Sequence, residues 1–393
     1  MGCRTVCIGD VATFRKESVK PVTGVTYRCY SLPAFDNAKT PETLDGSEIL
    51  SNKLRIEAGD ILVNKLNMRF RRIWPVDKLL PNSVCSTEFV PLCPKGNIDR
   101  NYLLYILLSD DFTRQLSGMR TGTSGSHQRV KPEWILDYHF ELPDEIAQHR
   151  IGGVLSSIDA KIAANAKLNG YLEELLLTRC AELENGVEEF CTVDDYCKRI
   201  YSGGTPSTKI SSYWNGALPW LSSGETRTRF IIDTEKTVTP EGVEGSSTKL
   251  ANRGSIVMAS AGQGLTRGQT SMLLFDTYVN QSVVVMEPKE RSGSYLLSAL
   301  AARYEKLRAW SDSTSTRGSM SGKVLKQFAL PCLTEGQLEL FESLATPLIR
   351  EIESNLRESK SLASLRDALL PKLMSGKIDV SEVDLTRLNS HLA

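Results

Sequence analysis

Residues Ile151 to Leu183 read IGGVLSSIDAKIAANAKLNGYLEELLLTRCAEL and carry the most informative pattern of the chain. This stretch contains no proline, and its apolar residues recur at alternating steps of four and three, which predicts a long helix of the coiled-coil type. The predicted inward positions are apolar at both ends of the stretch and carry Asn165 and Asn169 in the middle. Polar groups at such positions are typical of coiled coils whose register they fix.

The same pattern returns 190 residues later, from Phe341 to Leu373, with a polar centre at Asn355 and Ser359. Two unrelated amphipathic helices, each packed on its own domain, are the alternative, but the matching polar centres argue against it. We interpret the pair as a spacer and expect Pro347 to kink or interrupt the second helix. The predicted spacer positions are Ile151, Leu155, Ile158, Ile162, Leu172, Leu176, Phe341, Leu348, Ile352, Leu362, Leu369 and Leu373.

The segments before the two helices also correspond, which indicates one structural unit used twice. Each half is predicted to hold a turn and strand, a short helix, a Ser/Thr/Gly loop with basic residues, and a Leu-Pro step before its long helix. In the first half these are Ala58–Val63, Tyr102–Leu107, Arg120–Arg129 and Leu142–Pro143. In the second half they are Arg253–Met258, Tyr295–Leu300, Ser311–Met320 and Leu330–Pro331. We therefore expect an α/β chain of the α+β type.

Composition restricts the class of protein. The chain has 393 residues and zero net charge, with 47 basic and 47 acidic side chains, so two soluble domains are expected. No apolar run approaches the roughly 18 residues that span a bilayer, and the N-terminus lacks a signal-peptide pattern. Nine cysteines without a CxxC pair, beside four histidines, predict reduced thiols rather than a metal site. We expect a cytoplasmic protein without a bound metal.

Catalytic motifs are absent from the sequence. Neither the Asn/Asp-Pro-Pro-Tyr motif of adenine methyltransferases nor the GxxxxGK[ST] phosphate loop occurs, and no ordered nuclease set is found. Gly262-Gln263-Gly264 is a lone GxG without a supporting βαβ pattern, and we interpret it as a hairpin turn or a DNA-facing loop. We predict no catalytic residue and no cofactor held by this chain.

Polar and basic residues cluster instead in predicted loops of both halves. Such side chains match base edges and phosphates, and glycine-rich loops let backbone N–H groups approach phosphates. Each loop taken alone is more typical of solvated surface, but their occurrence in both halves favours DNA binding. The candidate DNA-binding residues are Lys65, Asn67, Arg69, Arg71, Arg72, Gln128, Arg129, Thr205, Ser207, Ser223, Glu225, Arg227, Gln263, Thr266, Arg267, Asn280, Gln281 and Arg317.

These motifs resemble the specificity subunits of type I restriction–modification systems along nearly the whole chain. The order Gly203–Ser207, Tyr213-Trp214, Pro219–Gly224, Thr239–Gly242 and Asn280–Ser282 is similar to that family's target-recognition domain. Leu365–Ile378 is similar to the end of its distal helix, whereas the first half resembles the family more loosely and lacks the GGTPS loop.

The resemblance implies target-recognition domains at 1–143 and 187–331, spacer helices within 144–186 and 332–380, and a tail at 381–393. The two long helices would run antiparallel as a coiled-coil spacer within a pseudo-twofold internal repeat. Each domain would read one part of a split, asymmetric site in double-stranded DNA. The implied partners are two modification subunits, which use S-adenosylmethionine to methylate adenine N6, and restriction (translocase-nuclease) subunits, which use ATP with Mg. This chain would itself be no enzyme.

Three alternatives remain open at this point. The chain could serve methylation only, in a system whose nuclease is lost. It could be a coiled-coil scaffold that binds proteins rather than DNA, which failure to bind any duplex together with its partner would indicate. It could also be an enzyme with degenerate motifs, which methylation by the purified chain alone would indicate.

Overall fold

The computed structural model describes residues 4–37, 39–119, 128–260, 267–314 and 320–381, together with Val383 and Leu385. At 311–314 only the backbone is described. The chain divides into unit 1, residues Met1–Ile162 and Ser361–Ala393, and unit 2, residues Ala163–Lys360. Each unit therefore combines one globular part with a portion of both long helices, whereas the predicted domain limits follow the globular parts alone.

Unit 1 contains two main sheets and one two-stranded ribbon. Its strands are β1 Arg4–Cys7, β2 Ala12–Phe14, β3 Ser18–Val19, β4 Thr26–Tyr30, β5 Glu42–Asp45, β6 Lys53–Arg55, β7 Ile61–Asn64, β8 Ile73–Pro75, β9 Ser83–Cys85, β10 Phe89–Pro94 and β11 His139–Leu142. Its helices are α1 Ile8–Val11, α2 Leu32–Asp36, α3 Arg100–Leu107, α4 Asp110–Gly118, α5 Pro132–Leu136 and the first part of α6 Glu145–Glu184, with a 3₁₀ turn at Gly46–Glu48.

Unit 2 contains most of the corresponding elements in the same order. Its strands are β12 Phe190–Thr192, β13 Cys197–Ser202, β14 Trp214–Leu221, β15 Phe230–Ile231, β16 Lys236–Val238, β17 Lys249–Ala251, β18 Ile256–Ala259, β19 Thr270–Leu273, β20 Thr277–Val279, β21 Val283–Pro288 and β22 Ala329–Pro331. Its helices are α7 Pro240–Glu244, α8 Gly293–Ala302, α9 Tyr304–Thr314, α10 Gly322–Lys326 and the first part of α11 Glu335–Met374, with 3₁₀ turns at Val193–Tyr196, Ser211–Tyr213 and Ser223–Glu225.

The two units repeat one sheet topology. The order β2-β10-β7-β8 of unit 1 corresponds to β13-β21-β18-β19 of unit 2, and β6-β9-β4-β5 corresponds to β17-β20-β14-β16. The ribbon β1-β11 corresponds to β12-β22. Gly59 and Gly254, in the matching turns before β7 and β18, have φ of 96° and 85°, a region that glycine enters without a Cβ clash. The internal repeat predicted from the sequence is confirmed as a repeat of topology.

Two strands break the correspondence, and one of them is β3, which extends the sheet β3-β6-β9-β4-β5 of unit 1 and has no counterpart in the four-stranded sheet of unit 2. β15 adds a fifth strand to the sheet β13-β21-β18-β19-β15, whereas the matching sheet of unit 1 ends at β8. β15 pairs in parallel with β19, with Phe230 opposite Met272 and Ile231 opposite Leu273. It belongs to the connection between β14 and β16, which in unit 1 corresponds to the connection that carries α2. Among the described elements, this edge strand is specific to unit 2.

The long helices contribute to the core of both units. Ile151 and Leu155 of α6 and Leu373 of α11 pack in the core of unit 1, while Leu176, Phe341 and Ile352 pack in the core of unit 2. Of the predicted spacer positions, Ile151, Leu155, Ile158, Leu176, Phe341, Ile352 and Leu373 are buried, and Ile162, Leu172, Leu348, Leu362 and Leu369 are half-buried.

The predicted interruption at Pro347 is wrong, because α11 continues from Glu335 to Met374. Proline cannot donate to the carbonyl of Ser343, four residues earlier. Pro347 and Ser343 are both exposed, so water can donate to the free Ser343 carbonyl at little cost.

Within unit 2, α6 and α11 lie antiparallel and meet through buried amides. Asn355 Nδ2 donates to Asn169 Oδ1 over 2.9 Å. Asn165 Nδ2, one turn earlier on α6, donates to Glu358 Oε2 on the later part of α11 over 2.7 Å. Asn165, Asn169 and Asn355 are all buried, so the polar centre found in the sequence forms paired contacts inside the helix pair. Buried amides that hydrogen-bond to each other restrict the helices to one register.

Candidate nucleic-acid interface

In unit 2, several polar loops meet at one edge of the sheets. Gly204 N donates to Val279 O over 3.1 Å, and Asn280 N donates to Leu221 O over 3.1 Å. These bonds connect the loops that follow β13, β14 and β20, namely 203–207, 222–227 and 280–282. We call these three loops the recognition edge of unit 2.

The loop after β18 begins at the same place. Ser260 N and Ser260 Oγ donate to Ser282 O over 2.8 and 3.1 Å. Residues 261–266 lie outside the described part of the chain, so the predicted contacts of Gln263 and Thr266 have no structural description. Arg317 also lies outside the described residues.

The GGTPS loop reaches this edge because it has no side chain at its first two positions. A Cβ on Gly203 would lie 1.9 Å from Val279 O, and a Cβ on Gly204 would lie 2.1 Å from Ser247 Oγ. Both are far inside contact distance, so only glycine permits the approach. The loop then delivers Thr205, whose Oγ1 donates to Gln281 Oε1 although the two residues are 76 apart in sequence. The structure thus brings together two predicted site residues from opposite ends of the domain.

The loop after β14 is held in shape by a carboxylate. Glu225 Oε1 accepts from Ser222 N and Ser222 Oγ over 2.9 and 2.8 Å, and its Oε2 accepts from Glu235 N over 2.7 Å. Glu225 therefore closes the base of the loop, an internal task that the sequence did not predict. Ser223 and Arg227 lie on the closed loop, and the side chain of Arg227 is exposed.

The remaining predicted residues of unit 2 differ in exposure. Ser207 and Gln281 are exposed. Asn280 is buried, and its Oδ1 accepts from Ser282 N over 3.0 Å, which turns the chain into β21. Arg267 is buried beside Ala259, with which it forms a β-bridge. All four residues were predicted to bind DNA, whereas the structure separates two exposed side chains from two buried ones.

In unit 1, the loop between β7 and β8 corresponds to the loop between β18 and β19 of unit 2. Buried Asn64 shapes it: Nδ2 donates to Leu66 O over 2.9 Å and to Phe70 O over 3.2 Å, and Oδ1 accepts from Arg72 N over 3.0 Å. Asn67 adopts φ of 55° at the bend, a left-handed conformation that asparagine tolerates. Asn64 stands inside the basic stretch, but its role in building the loop was not predicted.

Matching backbone contacts join the loops of both units. Val130 N donates to Lys65 O over 2.8 Å in unit 1, and Met320 N donates to Ser260 O over 2.7 Å in unit 2. In unit 1, Asn67 N also donates to Gln128 O over 2.8 Å. The Ser/Thr/Gly loops therefore end beside the start of the loop that follows β7 in unit 1 and β18 in unit 2, and the first four residues of the loop predicted at 311–320 belong to α9. We call the unit 1 loops 64–72 and 128–130 its recognition edge.

Most arginines of the unit 1 recognition edge are engaged in ion pairs. Arg72 contacts Asp36 through two hydrogen bonds of 2.8 and 2.7 Å, and this pairing lowers the pKa of the Asp36 carboxyl. Arg129 pairs with Glu88 at 2.8 Å, and its own pKa is raised by that hydrogen bond. Each carboxylate lies more than 30 residues away in sequence, so the sequence alone did not reveal the pairing.

Two further cations lie on the same edge. Arg71 pairs with Asp110 and donates to Leu108 O over 2.6 Å. Arg69, by contrast, is exposed, and its guanidinium lies 4.9 Å from the centre of the Phe70 ring. Within the described residues, no ion pair involves the side chain of Arg69 or of Lys65. The structure thus distinguishes arginines that stabilise the loop through ion pairs from an arginine whose side chain is exposed on its surface.

The described residues contain neither a membrane-spanning helix nor a cluster of metal-ligating side chains. No described helix has the length and apolarity needed to cross a membrane. No group of three or more His, Cys, Asp or Glu side chains in the described ranges could hold a metal ion.

The second unit carries a recognisable domain. Residues 187–355 match the family model of the type I restriction modification DNA specificity domain. The match places the globular part of unit 2 in the class of DNA-specificity domains, and unit 1 repeats its sheet topology.

Known relatives place the chain more closely. It is 23% identical over 318 residues to the type I restriction enzyme MjaIX specificity subunit of Methanocaldococcus jannaschii, which covers 75% of this chain and 73% of that protein. It is 21% identical over 408 aligned positions to the type I restriction enzyme HindI specificity subunit of Haemophilus influenzae, covering 83% and 88%. The chain is thus similar to type I restriction enzyme specificity subunits over most of its length, and the family model itself matches residues 187–355. The resemblance found in the sequence is thereby confirmed and is favoured over a protein-binding scaffold.

A solved structure supports the fold. The crystal structure of the type I restriction–modification system S subunit from M. genitalium aligns with 95% of this chain and 96% of its own, with a TM-score of 0.61 and 15% identity. At that identity the likeness concerns the architecture: mixed helices and sheets with two long helices. It agrees with the fold class predicted from the sequence.

Proposed function

We propose that this chain selects the DNA sequence for a type I restriction–modification complex by reading a bipartite, asymmetric site, one part with each recognition edge. The observation that carries the proposal is an equivalent backbone hydrogen bond beside each recognition edge. Val130 N donates to Lys65 O in unit 1 and Met320 N donates to Ser260 O in unit 2, so the end of a Ser/Thr/Gly loop lies beside the start of the loop that follows β7 or β18. Two similar but unequal readers on one chain suit a target with two different halves.

At each recognition edge, exposed side chains are the candidates for DNA contacts, whereas side chains already held in ion pairs or hydrogen bonds stabilise the loops. Arg69 and Arg227 are exposed cations and are the first candidates for phosphate or base contacts. Thr205 and Gln281 present hydroxyl and amide groups that can test base edges. Arg71, Arg72 and Glu225 hold the loops in shape and would affect reading indirectly. The contacts assigned to Gln128, Arg129, Ser207, Ser223, Arg267 and Asn280 stay predictions.

The chain itself would supply recognition and no chemistry. Modification subunits, two per complex, would bring S-adenosylmethionine and methylate adenine N6, after extracting the base from the duplex. Restriction subunits would bring ATP with Mg and the nuclease. This chain is proposed to hold none of these cofactors, and to determine which adenines the modification subunits reach.

The test in cells is methylation-sensitive genome sequencing of a strain that carries the chain and its modification subunit, compared with a deletion of the chain. We expect N6-methyladenine in both strands of one split motif, and its loss in the deletion. A methylation pattern that does not depend on the chain would contradict the proposal.

The test in vitro is duplex binding by the chain together with its modification subunits. Arg69→Ala and Arg227→Ala should each weaken binding to the motif about 5- to 150-fold, the range for one lost contact. Lys289→Ala is the matched control, because this exposed cation follows β21 at the opposite end from the recognition edge. Equal affinity of the wild-type and both arginine variants would exclude these residues as contacts.

A further inference from the structure

The edge strand β15 is tied to both long helices within unit 2. Arg229, directly before the strand, faces Glu173 of α6 with Nε 3.5 Å from Oε2. Asp233, two residues after the strand, pairs with Lys360 of α11. We call these four residues the β15 clamp.

The Glu173–Arg229 pair is shielded from water. The two side chains retain 32% and 22% of their exposure, and Arg229 Nε is buried without a hydrogen-bond partner among the described residues. Burial raises the pKa of the Glu173 carboxyl, and the Arg229 charge opposes that rise. A charge in such a position depends on its counter-ion, because removal of one partner leaves the other charge poorly solvated. The exposed Asp233–Lys360 pair contributes less.

The segment between the two ion pairs is continuous with the recognition edge. Thr228 O and Arg229 O accept from Ser271 Oγ over 2.5 Å and Met272 N over 2.8 Å, which fixes this segment along β19. Arg227, the exposed cation of the loop, stands only two residues before Arg229. Phe230 is buried in the same core as Leu176 of α6. A shift of α6 at Glu173 would therefore be passed directly to the backbone that carries Arg227.

Unit 1 has no equivalent among its described residues. Its corresponding connection carries α2, whose last residue Asp36 pairs with Arg72 of the neighbouring loop rather than with a long helix. Unit 1 therefore serves as an internal control, because loss of the β15 clamp should change DNA recognition by unit 2 and leave DNA recognition by unit 1 unchanged.

We propose that Glu173 is a positioning residue for DNA reading by unit 2, which holds the segment 222–233 in its reading conformation through Arg229. Lys360 assists from the other helix. The inference rests on the proposed function, because it assumes that the recognition edge of unit 2 reads DNA. The inference adds that the long helices take part in DNA recognition and do not merely connect the two units.

The first arm of the test needs no DNA. Hydrogen–deuterium exchange is measured on the full chain bound to its modification subunits, for wild type, Glu173→Gln and Glu174→Gln. Glu174 is the matched control because it is the exposed neighbour on the same helix turn. We expect amides of 222–235 to exchange about fivefold faster in Glu173→Gln and unchanged in Glu174→Gln. Unchanged exchange in both variants would overturn the proposal, whatever the DNA results.

The second arm measures discrimination between the methylated motif found in cells and duplexes with one mismatch in either half. We expect Glu173→Gln to lose about fivefold discrimination in the half that Arg227→Ala affects, and none in the other half. Equal losses in both halves would indicate general destabilisation and overturn the proposal. If Arg227→Ala affects neither half, the proposed function of this edge fails, while the exchange arm still decides whether the clamp exists.

The double variant Glu173→Gln/Arg229→Gln completes the design. If the two residues act as a pair, its exchange should be no faster than that of the more affected single variant. Independent, multiplicative effects of the two substitutions would show that Glu173 does not act through Arg229.

Discussion

Replacement of Gly203 by alanine tests whether the close approach of the GGTPS loop to β20 builds the recognition edge of unit 2. The added Cβ would lie 1.9 Å from Val279 O and 2.8 Å from Val279 C, against an ordinary contact of 3.4–4 Å. Both atoms belong to the backbone of a fully buried residue, so the loop rather than the strand has to move. The loop would have to retreat by about 1.5 Å to bring the 1.9 Å approach to the 3.4 Å at which ordinary contact begins.

The energetic cost follows from what that shift disturbs. Val279 O accepts from Gly204 N over 3.1 Å and from Thr248 Oγ1 over 2.9 Å. Overpacking costs about 1–3 kcal/mol, and the loss of one such hydrogen bond about 1 kcal/mol. We therefore expect Gly203→Ala to lower the local unfolding free energy around the loop by about 2–4 kcal/mol.

Amide hydrogen exchange of the full chain measures this free energy at the amides of β20 and residues 203–207. The expected loss corresponds to exchange about 30- to 1000-fold faster than in wild type. Gly224→Ala is the matched control on the same edge: the nearest atom to its added Cβ is Ser222 Oγ at 3.8 Å, so its rates should stay at the wild-type level. Wild-type exchange in Gly203→Ala would refute the close approach and with it the construction of this edge.

Three further predictions concern the helices and the charges. Asn355→Leu leaves Asn169 Oδ1 without its buried donor and should lower the free energy of unfolding in urea by about 1–3 kcal/mol. The double variant Asn169→Leu/Asn355→Leu should recover most of this loss, and failure to recover it would show that the two amides are not paired. Arg227→Ala should reduce the slope of log affinity against log salt by about 1, as measured by duplex binding at several salt concentrations, and an unchanged slope would exclude a phosphate contact. Hydrogen bonds from Arg253 hold the pKa of Glu353 below its usual 4.5, so this stabilisation is complete above that pH and is lost as the pH falls through the lowered pKa. Lowering the pH below 4.5 should therefore reduce the free energy of unfolding of the wild type more than that of Glu353→Gln, as measured by urea unfolding at several pH values. Parallel pH profiles of the two proteins would contradict the pairing.

The long helices were largely predictable, because helix formation and its apolar stripe depend on residues three and four positions apart. The stripe and its polar centre were visible in the sequence, and Asn169 and Asn355 meet in the structure. Pro347 was misjudged for the same local reason: proline removes one hydrogen bond, but the cost depends on whether the orphaned carbonyl can reach water, which is a property of the folded surface.

The candidate site was only partly predictable. The residue types were visible: glycines at 203 and 204, amides at 280 and 281, and a run of arginines before Trp74. Their roles were not, because each role depends on a partner far along the chain. Arg72 builds its loop through Asp36, whereas Arg69 in the same run is exposed and engages only the neighbouring Phe70 ring in the described contacts.

Periodicity and the order of motifs along the chain were enough to predict the repeat, the helix pair and the family resemblance. Which polar side chains are exposed and which are buried or ion-paired depends on contacts between distant segments, so that distinction emerged only from the folded chain. It alone placed Thr205 beside Gln281, and it alone revealed β15, a two-residue strand too short to leave a periodic signal. Its position depends on ion pairs with Glu173, which lies more than 50 residues before it, and with Lys360, which lies more than 100 residues after it in the sequence.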